Sequence, residues 1–269
     1  MGKFDGVLLV SDYDDTLLGS HLRVPERNLT ALRYFIAEGG RFTIATGRSH
    51  RAFARAAAEL PINAPAVLSN GSAIYDFRAG RLLWSSKLRP QAVRDCRTLG
   101  EAFPTLAMEV CHGEDIYAYR PNIVTQKHME RVGASYVERE LEEIPMPWTK
   151  VVLEEDEPVL RQAQAFVRER WPADYEIIFS NRYLLELTDK GSHKGNQVLR
   201  VADLIGVSRE HIYCTGDNQN DLPMLEVSAI PFVPANAVQA LKDWGATVVG
   251  SCDEGCVADI IEFLDEKYV

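Results

Sequence analysis

Short apolar runs that stop abruptly at polar residues, each followed by a helical pattern, constrain this chain more than any other feature. Val7 to Val10 ends at Ser11-Asp12, Phe42 to Ala45 at Thr46-Gly47-Arg48, Val67-Leu68 at Ser69-Asn70-Gly71, and Ile212 to Cys214 at Thr215-Gly216-Asp217. Such runs read as buried strands. Between them lie helical patterns. Pro25 to Glu38 carries Leu29, Leu32 and Ile36 on one face, with Pro25 early and Gly39 as its stop; Ser49 to Leu60 opens on Ser49 as N-cap and closes at Pro61. Strands alternating with helices mean a parallel, doubly wound α/β sheet. The C-terminal part continues it: Asn236 is expected to cap a helix carrying Val238, Leu241 and Trp244, Thr247-Val248-Val249 reads as a strand, and Cys256 to Lys267 as a last helix. Pro231 and Pro234 predict an edge position for the strand between them, because proline cannot donate to a ladder.

The middle third has a different grammar. Helical segments at Pro90 to Phe103 and Pro158 to Trp171 are interleaved with strand-like Ile116 to Tyr119, Val151 to Leu153, Ile177 to Phe179 and Tyr183 to Leu187, with no strand-Gly-polar endings. The reading is an α+β domain inserted at residues 86–187 into a core made of residues 1–85 and 188–269. The joints would be Trp84-Ser85-Ser86-Lys87 and Thr188-Asp189-Lys190-Gly191-Ser192, the second with a glycine suited to a hinge.

Charge and cysteines exclude several classes. The chain has 269 residues, with 29 Lys+Arg against 39 Asp+Glu, a net charge of -10 that disfavours nucleic acid or an anionic membrane as partner. No apolar stretch is long enough for a membrane span and the N-terminus lacks a signal-peptide pattern, so a cytoplasmic protein is expected. Five cysteines, at 96, 111, 214, 252 and 256, are an odd and scattered set, read as reduced thiols. Cys252 and Cys256 lie close together but have no second Cys/His pair near them, and are read as unrelated small side chains.

Asp12 and Asp14 follow the first apolar run, with Asp15 beside them. Carboxylates at the C-terminal end of a buried strand occupy the place where open α/β sheets bind ligands. Three acidic groups within four residues repel one another and lose solvation, and a divalent cation such as Mg²⁺ offsets both costs. Three further elements converge on the same sheet edge: Thr46 with Gly47; Lys194 in Ser192-His193-Lys194-Gly195; and Gly216-Asp217-Asn218-Gln219-Asn220-Asp221.

In Asp12-x-Asp14-x-Thr16, Thr46-Gly47-Arg48, Asn70-Gly71, Lys194-Gly195 and Gly216-Asp217-x-x-Asn220-Asp221-x-x-Met224-Leu225, the chain resembles the haloacid dehalogenase (HAD) superfamily of aspartate-dependent phosphohydrolases, in its Cof-type (subclass IIB) branch. The match covers about residues 5 to 84 and 188 to 267; within the insert the likeness is architectural only. The resemblance implies a Rossmann-like core with an α+β cap that sets specificity, and it implies roles. Asp12 would be the nucleophile and Asp14 the general acid and base. Mg²⁺ would be held by Asp12, the backbone carbonyl of Asp14 and Asp217, with Asp221 a further ligand or, as favoured, an outer support. Thr46 and the Gly47 amide would bind the phosphoryl oxygens, with Asn220 in reach, and Lys194 would neutralise charge and orient Asp12. Arg48 and Asn70 are candidate phosphate contacts, although Asn-Gly after a strand also makes a turn and Arg48 also suits a surface pair. The family usually has glycine where this chain has Asp15, a residue that tolerates left-handed backbone angles.

The function implied is Mg²⁺-dependent hydrolysis of small phosphorylated metabolites, sugar phosphates first, through an aspartyl-phosphate, with no nucleic-acid, membrane or obligate protein partner. The rivals are a phosphomutase or phosphotransferase using the same intermediate, a non-catalytic phosphometabolite-binding protein, and a phospho-acceptor signalling domain, which would lack the long insert. Specificity would rest on insert residues among His112, Glu114, Lys150, Asn181, Arg182 and Tyr183. Trp148 is read as packing, and His112, His193 and His211 share no metal-ligand spacing.

Overall fold

A computed structural model of the chain describes residues 2–113 and 115–268. Glu114, one of the specificity candidates, lies outside the described residues. The chain forms two compact units, one running to Trp84 and resuming at His193, the other Ser85–Ser192.

The first unit opens with β1 (Leu8–Ser11), α1 (Glu26–Ala37), β2 (Arg41–Ile44), α2 (His50–Glu59), β3 (Ala66–Leu68), β4 (Ala73–Asp76) and β5 (Arg81–Ser85). The second unit follows with α3 (Ala92–Ala102), β6 (Ala107–His112), β7 (Asp115–Tyr119), α4 (Ile123–Val132), β8 (Val137–Glu138), β9 (Lys150–Glu154), α5 (Glu157–Arg170), β10 (Tyr175–Asn181) and β11 (Leu184–Asp189). The chain then completes the first unit with α6 (Lys194–Ile205), β12 (Ile212–Thr215), α7 (Leu222–Leu225), β13 (Pro231–Pro234), α8 (Gln239–Asp243), β14 (Thr247–Val249) and α9 (Cys256–Lys267).

The first unit's main sheet has the order β14-β13-β12-β1-β2, all parallel. A single parallel bridge, Ala45 to Val67, sets β3 beside the end of β2 and starts the small sheet β3-β4-β5. Successive side chains of β1 point to opposite faces, and each face has its own core. Leu9 packs with Leu32 and Phe35 of α1 and with Val257, Ile260, Ile261 and Leu264 of α9. Leu8 and Val10 pack with Val198, Val201 and Ala202 of α6 and Met224 and Leu225 of α7. Helices on both faces make this the doubly wound α/β fold read from the strand–helix alternation. Ser49 accepts a hydrogen bond from the Ala52 amide as the N-cap of α2.

Two expectations fail here. β13 is not at the edge: it lies between β12 and β14, which takes the edge itself. Its prolines occupy the first and last positions of a four-residue strand, so the missing donors fall at its ends while Phe232 and Val233 sit inside the ladder. Nor does Asn236 cap a helix. α8 is short and starts at Gln239, while the Asn236 side chain accepts from the Cys252 amide and donates to the Asp15 carbonyl.

The second unit is a six-stranded sheet, β10-β11-β9-β6-β7-β8, antiparallel except for the β7–β8 pair. One face is apolar: Met108, Val110, Val151, Leu153, Leu185 and Leu187 pack with Cys96 and Leu99 of α3 and Leu160, Ala163 and Val167 of α5. By alternation the opposite face carries Glu109, Lys150, Val152, Glu154 and Glu186. β11 continues to Asp189, past the insert boundary expected at 187 and into the expected joint, and the compact unit extends to Ser192. Trp148 is fully buried in the apolar cluster, its indole donating to the Ile144 carbonyl. All five cysteines are buried and free.

Candidate active site

β1 ends at Ser11, but its ladder reaches one residue further: the Asp12 amide donates to the Thr215 carbonyl at 2.8 Å. Asp12 thereby stands at the C-terminal edge of two central strands. Lys194 is the first residue of α6, whose N-cap His193 accepts from the Asn196 amide. The helix start can come this close only because residue 195 is glycine; a Cβ there would lie 2.0 Å from the Pro223 carbonyl oxygen. At Gly216 a Cβ would lie 2.3 Å from the Asp221 carboxyl carbon. Both glycines, read from the motifs, are required by close approach.

The Lys194 ammonium is fully buried and bonds Asp12 Oδ1 at 2.8 Å and Asp221 Oδ1 at 2.6 Å. Asp221 Oδ2 accepts from the Asp217 and Asn218 amides at 3.0 and 3.1 Å, so both oxygens of this fully buried carboxylate are engaged. Thr16 donates its hydroxyl to Asp217 Oδ1 at 2.9 Å. Asp12, Asp217 and Asp221 each offer an oxygen within 4.8 Å of the others, a group able to hold a metal ion.

Three carboxylates here face one ammonium. Burial, then the negative Asp221, push the Asp12 carboxyl well above the usual range, and the Lys194 ammonium only partly counteracts them. Asp217 is pushed up to about 7, again by burial first and Asp221 second, with Thr16 and Lys194 opposing and Asp15 adding to the rise. Burial alone would pull Lys194 down, but Asp12 and Asp221 more than reverse it and the ammonium is held more tightly protonated. The donor set and its surplus negative charge fit a hard divalent cation, which would satisfy both.

Asp14 is outside this carboxylate group. Its two side-chain oxygens take a bidentate pair from Arg48, at 2.9 Å from Nε and 2.6 Å from Nη2, and the Arg48 guanidinium lies over the Tyr13 ring. Thr46 is fully buried and its hydroxyl accepts from the Arg48 amide, while the Asn70 amide donates to the Thr46 carbonyl. Gly47 lies against the Asn70 side chain, since a Cβ there would be 3.2 Å from its Nδ2. Asn70, in left-handed conformation with φ 53°, accepts from Asn220 Nδ2 at 3.0 Å. Asn220 Oδ1 is buried with no hydrogen-bond partner among the described residues. Asp15 adopts φ 56°, the left-handed backbone region that glycine enters without strain and Asp tolerates. The structure thus brings Asp12, Lys194, Asp217 and Asp221 into one cluster, Thr46, Gly47, Asn70 and Asn220 into an adjoining lattice, and Asp14 with Arg48 into a pair. Sequence reasoning gave Thr16 no role; its place in the same short motif was the available signal.

A model of the family described as haloacid dehalogenase-like hydrolase matches residues 9–261. The chain belongs to this family and is a hydrolase of it. It is 24% identical over 275 residues to the 5-amino-6-(5-phospho-D-ribitylamino)uracil phosphatase YitU of Bacillus subtilis, covering 97% of each chain. Its fold is that of the HAD subclass IIB sugar phosphatase BT4131, at TM-score 0.84 and 19% identity over 96% of this chain and 99% of that one. The HAD-superfamily phosphatase BT1666 of Bacteroides thetaiotaomicron superposes at TM-score 0.84 and 19% identity, over 96–97% of each. None of the described helices is long and apolar enough to cross a membrane.

Proposed function

We propose that the protein is a Mg²⁺-dependent phosphomonoester hydrolase of the cytoplasm that acts on small phosphorylated metabolites, sugar phosphates foremost, through an aspartyl-phosphate on Asp12. The observation that carries this reading is the fully buried Lys194 ammonium bonded to both Asp12 and Asp221 inside a cluster of three carboxylates. A binding protein needs no buried carboxylate held by a buried ammonium at a strand end. That relatives of similar length are named as phosphatases of a phosphoribityl compound and of sugars supports the same class of substrate.

In this reading an Asp12 oxygen attacks phosphorus, the phosphorus–oxygen bond to the leaving alcohol breaks, and Asp14 gives that oxygen its proton. Asp14 then takes a proton from water, which attacks the phosphorus, releasing phosphate and restoring the Asp12 carboxylate. Before Asp14 can act in this way it must exchange the bidentate hold of Arg48 for the substrate. Lys194 orients Asp12 and offsets its charge. Thr46, the Gly47 amide and Asn220 hold the phosphoryl oxygens. Asp12, the Asp14 carbonyl and Asp217 would hold Mg²⁺, with Asp221 as support because its oxygens already serve Lys194 and two amides. The bound cation supplies charge neutralisation that lets an anionic carboxylate meet an anionic phosphate. The second unit is assigned the selection of substrate.

The test is phosphate release from a panel of phosphorylated metabolites with Mg²⁺ and with excess chelator. Mg²⁺-dependent release, inhibited by beryllofluoride only when Mg²⁺ is present, is the expected result. Undiminished turnover in chelator would overturn the metal role, and transfer products in excess acceptor sugar would replace hydrolysis by phosphotransfer.

A further inference from the structure

The second unit holds a buried charged cluster that phosphoryl transfer does not use. Glu109 on β6 and Glu154 on β9 point from the same face of the sheet, since Glu109 pairs with Val152 and Glu154 with Ala107 in the β6–β9 register. α4 lies on this face. Its N-cap Asn122, in a capping box with Thr125, also donates its side-chain amide to the Glu154 carbonyl at 2.9 Å and so ties the helix start to β9. Thr125 and Met129 are the helix's buried residues, and His128 shares their side of the helix. His128 Nδ1 lies 3.0 Å from Glu154 Oε1 and 3.1 Å from Glu109 Oε2.

The cluster has too few donors. Glu109 is 4% exposed and Glu154 fully buried, and buried carboxylates require several hydrogen bonds each. The single Nδ1 proton is hydrogen-bonded to Glu154 Oε1, and Glu109 Oε2 meets the ring only as an ion-pair contact. Cys111 Sγ, a weak donor, reaches Glu109 Oε1 at 3.6 Å, and neither Glu109 Oε2 nor Glu154 Oε2 has a hydrogen-bond partner among the described residues. Lys150, whose charge also acts on Glu109, is bonded to Glu186. Two carboxylates against one imidazole leave unbalanced negative charge around those two unpartnered oxygens.

We propose that Glu109, His128 and Glu154 form a binding site for a divalent transition cation of the Zn²⁺ class. One imidazole nitrogen and two carboxylate oxygens are a borderline donor set that suits Zn²⁺ or Mn²⁺ better than Mg²⁺, which prefers oxygen alone. The three residues each bring a ligand atom within 4.8 Å of the others. Donors about 2.1 Å from a shared ion lie roughly 3.0–3.4 Å apart, the range in which Nδ1 meets both carboxylates. An ion there replaces the Nδ1 proton and offsets the surplus negative charge of the two carboxylates. His128 keeps 15% of its side chain exposed, which provides access from solvent. Three protein ligands leave a coordination position for water or a small ligand.

The experiment uses the full chain with Asp12→Asn and Asp217→Asn, so that the first unit's carboxylates no longer compete. Titration of the metal-free protein with Zn²⁺ should show one tight equivalent, and His128→Gln added to this background should weaken it at least tenfold. Co²⁺ in the same place should give a visible absorption band that His128→Gln removes. Glu154→Gln is the second variant should His128→Gln fail to fold, and the same weakening is expected. Absence of a tight equivalent, or uptake unaltered by both second-unit variants, would overturn the site. So would an ¹H–¹⁵N spectrum in which His128 keeps its Nδ1 proton at saturating Zn²⁺, which would leave the cluster as an ion triad closed by the imidazolium.

Discussion

The carboxylate clusters around Lys194 and around His128 solve the same electrostatic problem with different resources. In the first unit three carboxylates share a buried ammonium, two backbone amides and the Thr16 hydroxyl, donors drawn from different loops at one edge of a parallel sheet. In the second unit two carboxylates in the middle of a sheet share one imidazole. The titration of their members moves in opposite senses. Asp12 and Asp217 are pushed up, because burial and neighbouring carboxylates outweigh Lys194. Glu109 is lowered despite its burial, and His128 is pushed up to about 9 because the facing Glu109 and Glu154 carboxylates more than reverse the effect of burial. Sheet edges gather loops, and loops bring amides and hydroxyls to a charge. A charge placed within a strand has only its lateral neighbours and whatever helix covers it. The first arrangement suits chemistry, and the second suits a resident ion.

The largest contrast expected between the clusters is in turnover. Asp12→Asn removes the proposed nucleophile while keeping its shape, and should lower kcat with p-nitrophenyl phosphate by about 10⁴-fold or more, with unaltered circular dichroism. Glu154 has no part in the proposed chemistry, so Glu154→Gln should keep kcat for this small ester within about threefold. Comparable losses in both variants would place a reacting group in the second unit and break the distinction.

Stability gives the next contrast. Lys194→Met leaves Asp12 and Asp221 buried without their shared ammonium, and should cost about 3–5 kcal/mol, as removal of one partner from a buried pair does. Glu154→Gln removes one of two carboxylates that compete for a single donor, and should cost about 1 kcal/mol. Urea denaturation of the metal-free proteins measures both, and the ordering is the point of the comparison. A larger loss for Glu154→Gln would mean that the second cluster is the better satisfied of the two.

The clusters also differ in how far the sequence disclosed them. Each strand ending that carries the first cluster was legible, because a buried parallel strand is a continuous apolar run and its C-terminal end is punctuated by polar residues and glycine. Lys194 was legible through the glycine beside it and the helix it opens. The second cluster gave no such signal. Glu109, His128 and Glu154 are separated by 19 and 26 residues and sit in segments where a lone charge reads as a solvated face; only the β6–β9 register and the capped start of α4 bring them together. Arg48 was read as a phosphate contact or a surface pair, and its bidentate hold on Asp14 depends on the tertiary placement of two loops. The prolines of β13 misled for a related reason: the cost of a missing donor depends on its position within the strand, which the presence of proline alone does not give.

A smaller effect should appear in the pH dependence of stability without metal. The Asp217 carboxyl titrates near 7 in the folded chain, against an ordinary value of 3.8. Between these values the folded state holds a proton that the unfolded chain has released, so the contribution of Asp217 to stability is complete below pH 3.8 and is lost as pH rises through 7. Asp217→Asn removes this loss. The variant's melting temperature, measured in chelator and taken relative to the parent, should therefore rise by several degrees from pH 4.5 to pH 8, on the order of a few °C per kcal/mol. Added Mg²⁺ should stabilise the parent at pH 8 and leave the variant nearly unaffected. A difference that is flat with pH would mean that Asp217 is not under the strain its surroundings imply.

The smallest expected effect concerns Asp15, where backbone and charge can be separated. It holds φ 56° at the surface, its carbonyl accepts from Asn236, and its carboxylate contributes the least of the named causes to the rise of Asp217. Asp15→Asn keeps a side chain that tolerates left-handed angles and removes only the charge. Asp15→Gly relaxes the angle but loosens the unfolded chain, and these two effects offset each other to within about 1 kcal/mol. Both variants should weaken Mg²⁺ binding to the same small extent, about two- to fivefold, since each removes one partly screened negative charge. The first cluster's affinity would then depend on its buried carboxylates, with Asp15 adding a minor electrostatic bias from outside. If Asp15→Gly alone altered turnover while Asp15→Asn did not, the backbone of this loop, through the Asp14 carbonyl it positions, would be the determinant. Equal and large losses in both would make Asp15 a working member of the cation site and enlarge the contrast with the second unit, where no exposed carboxylate joins the proposed ligands.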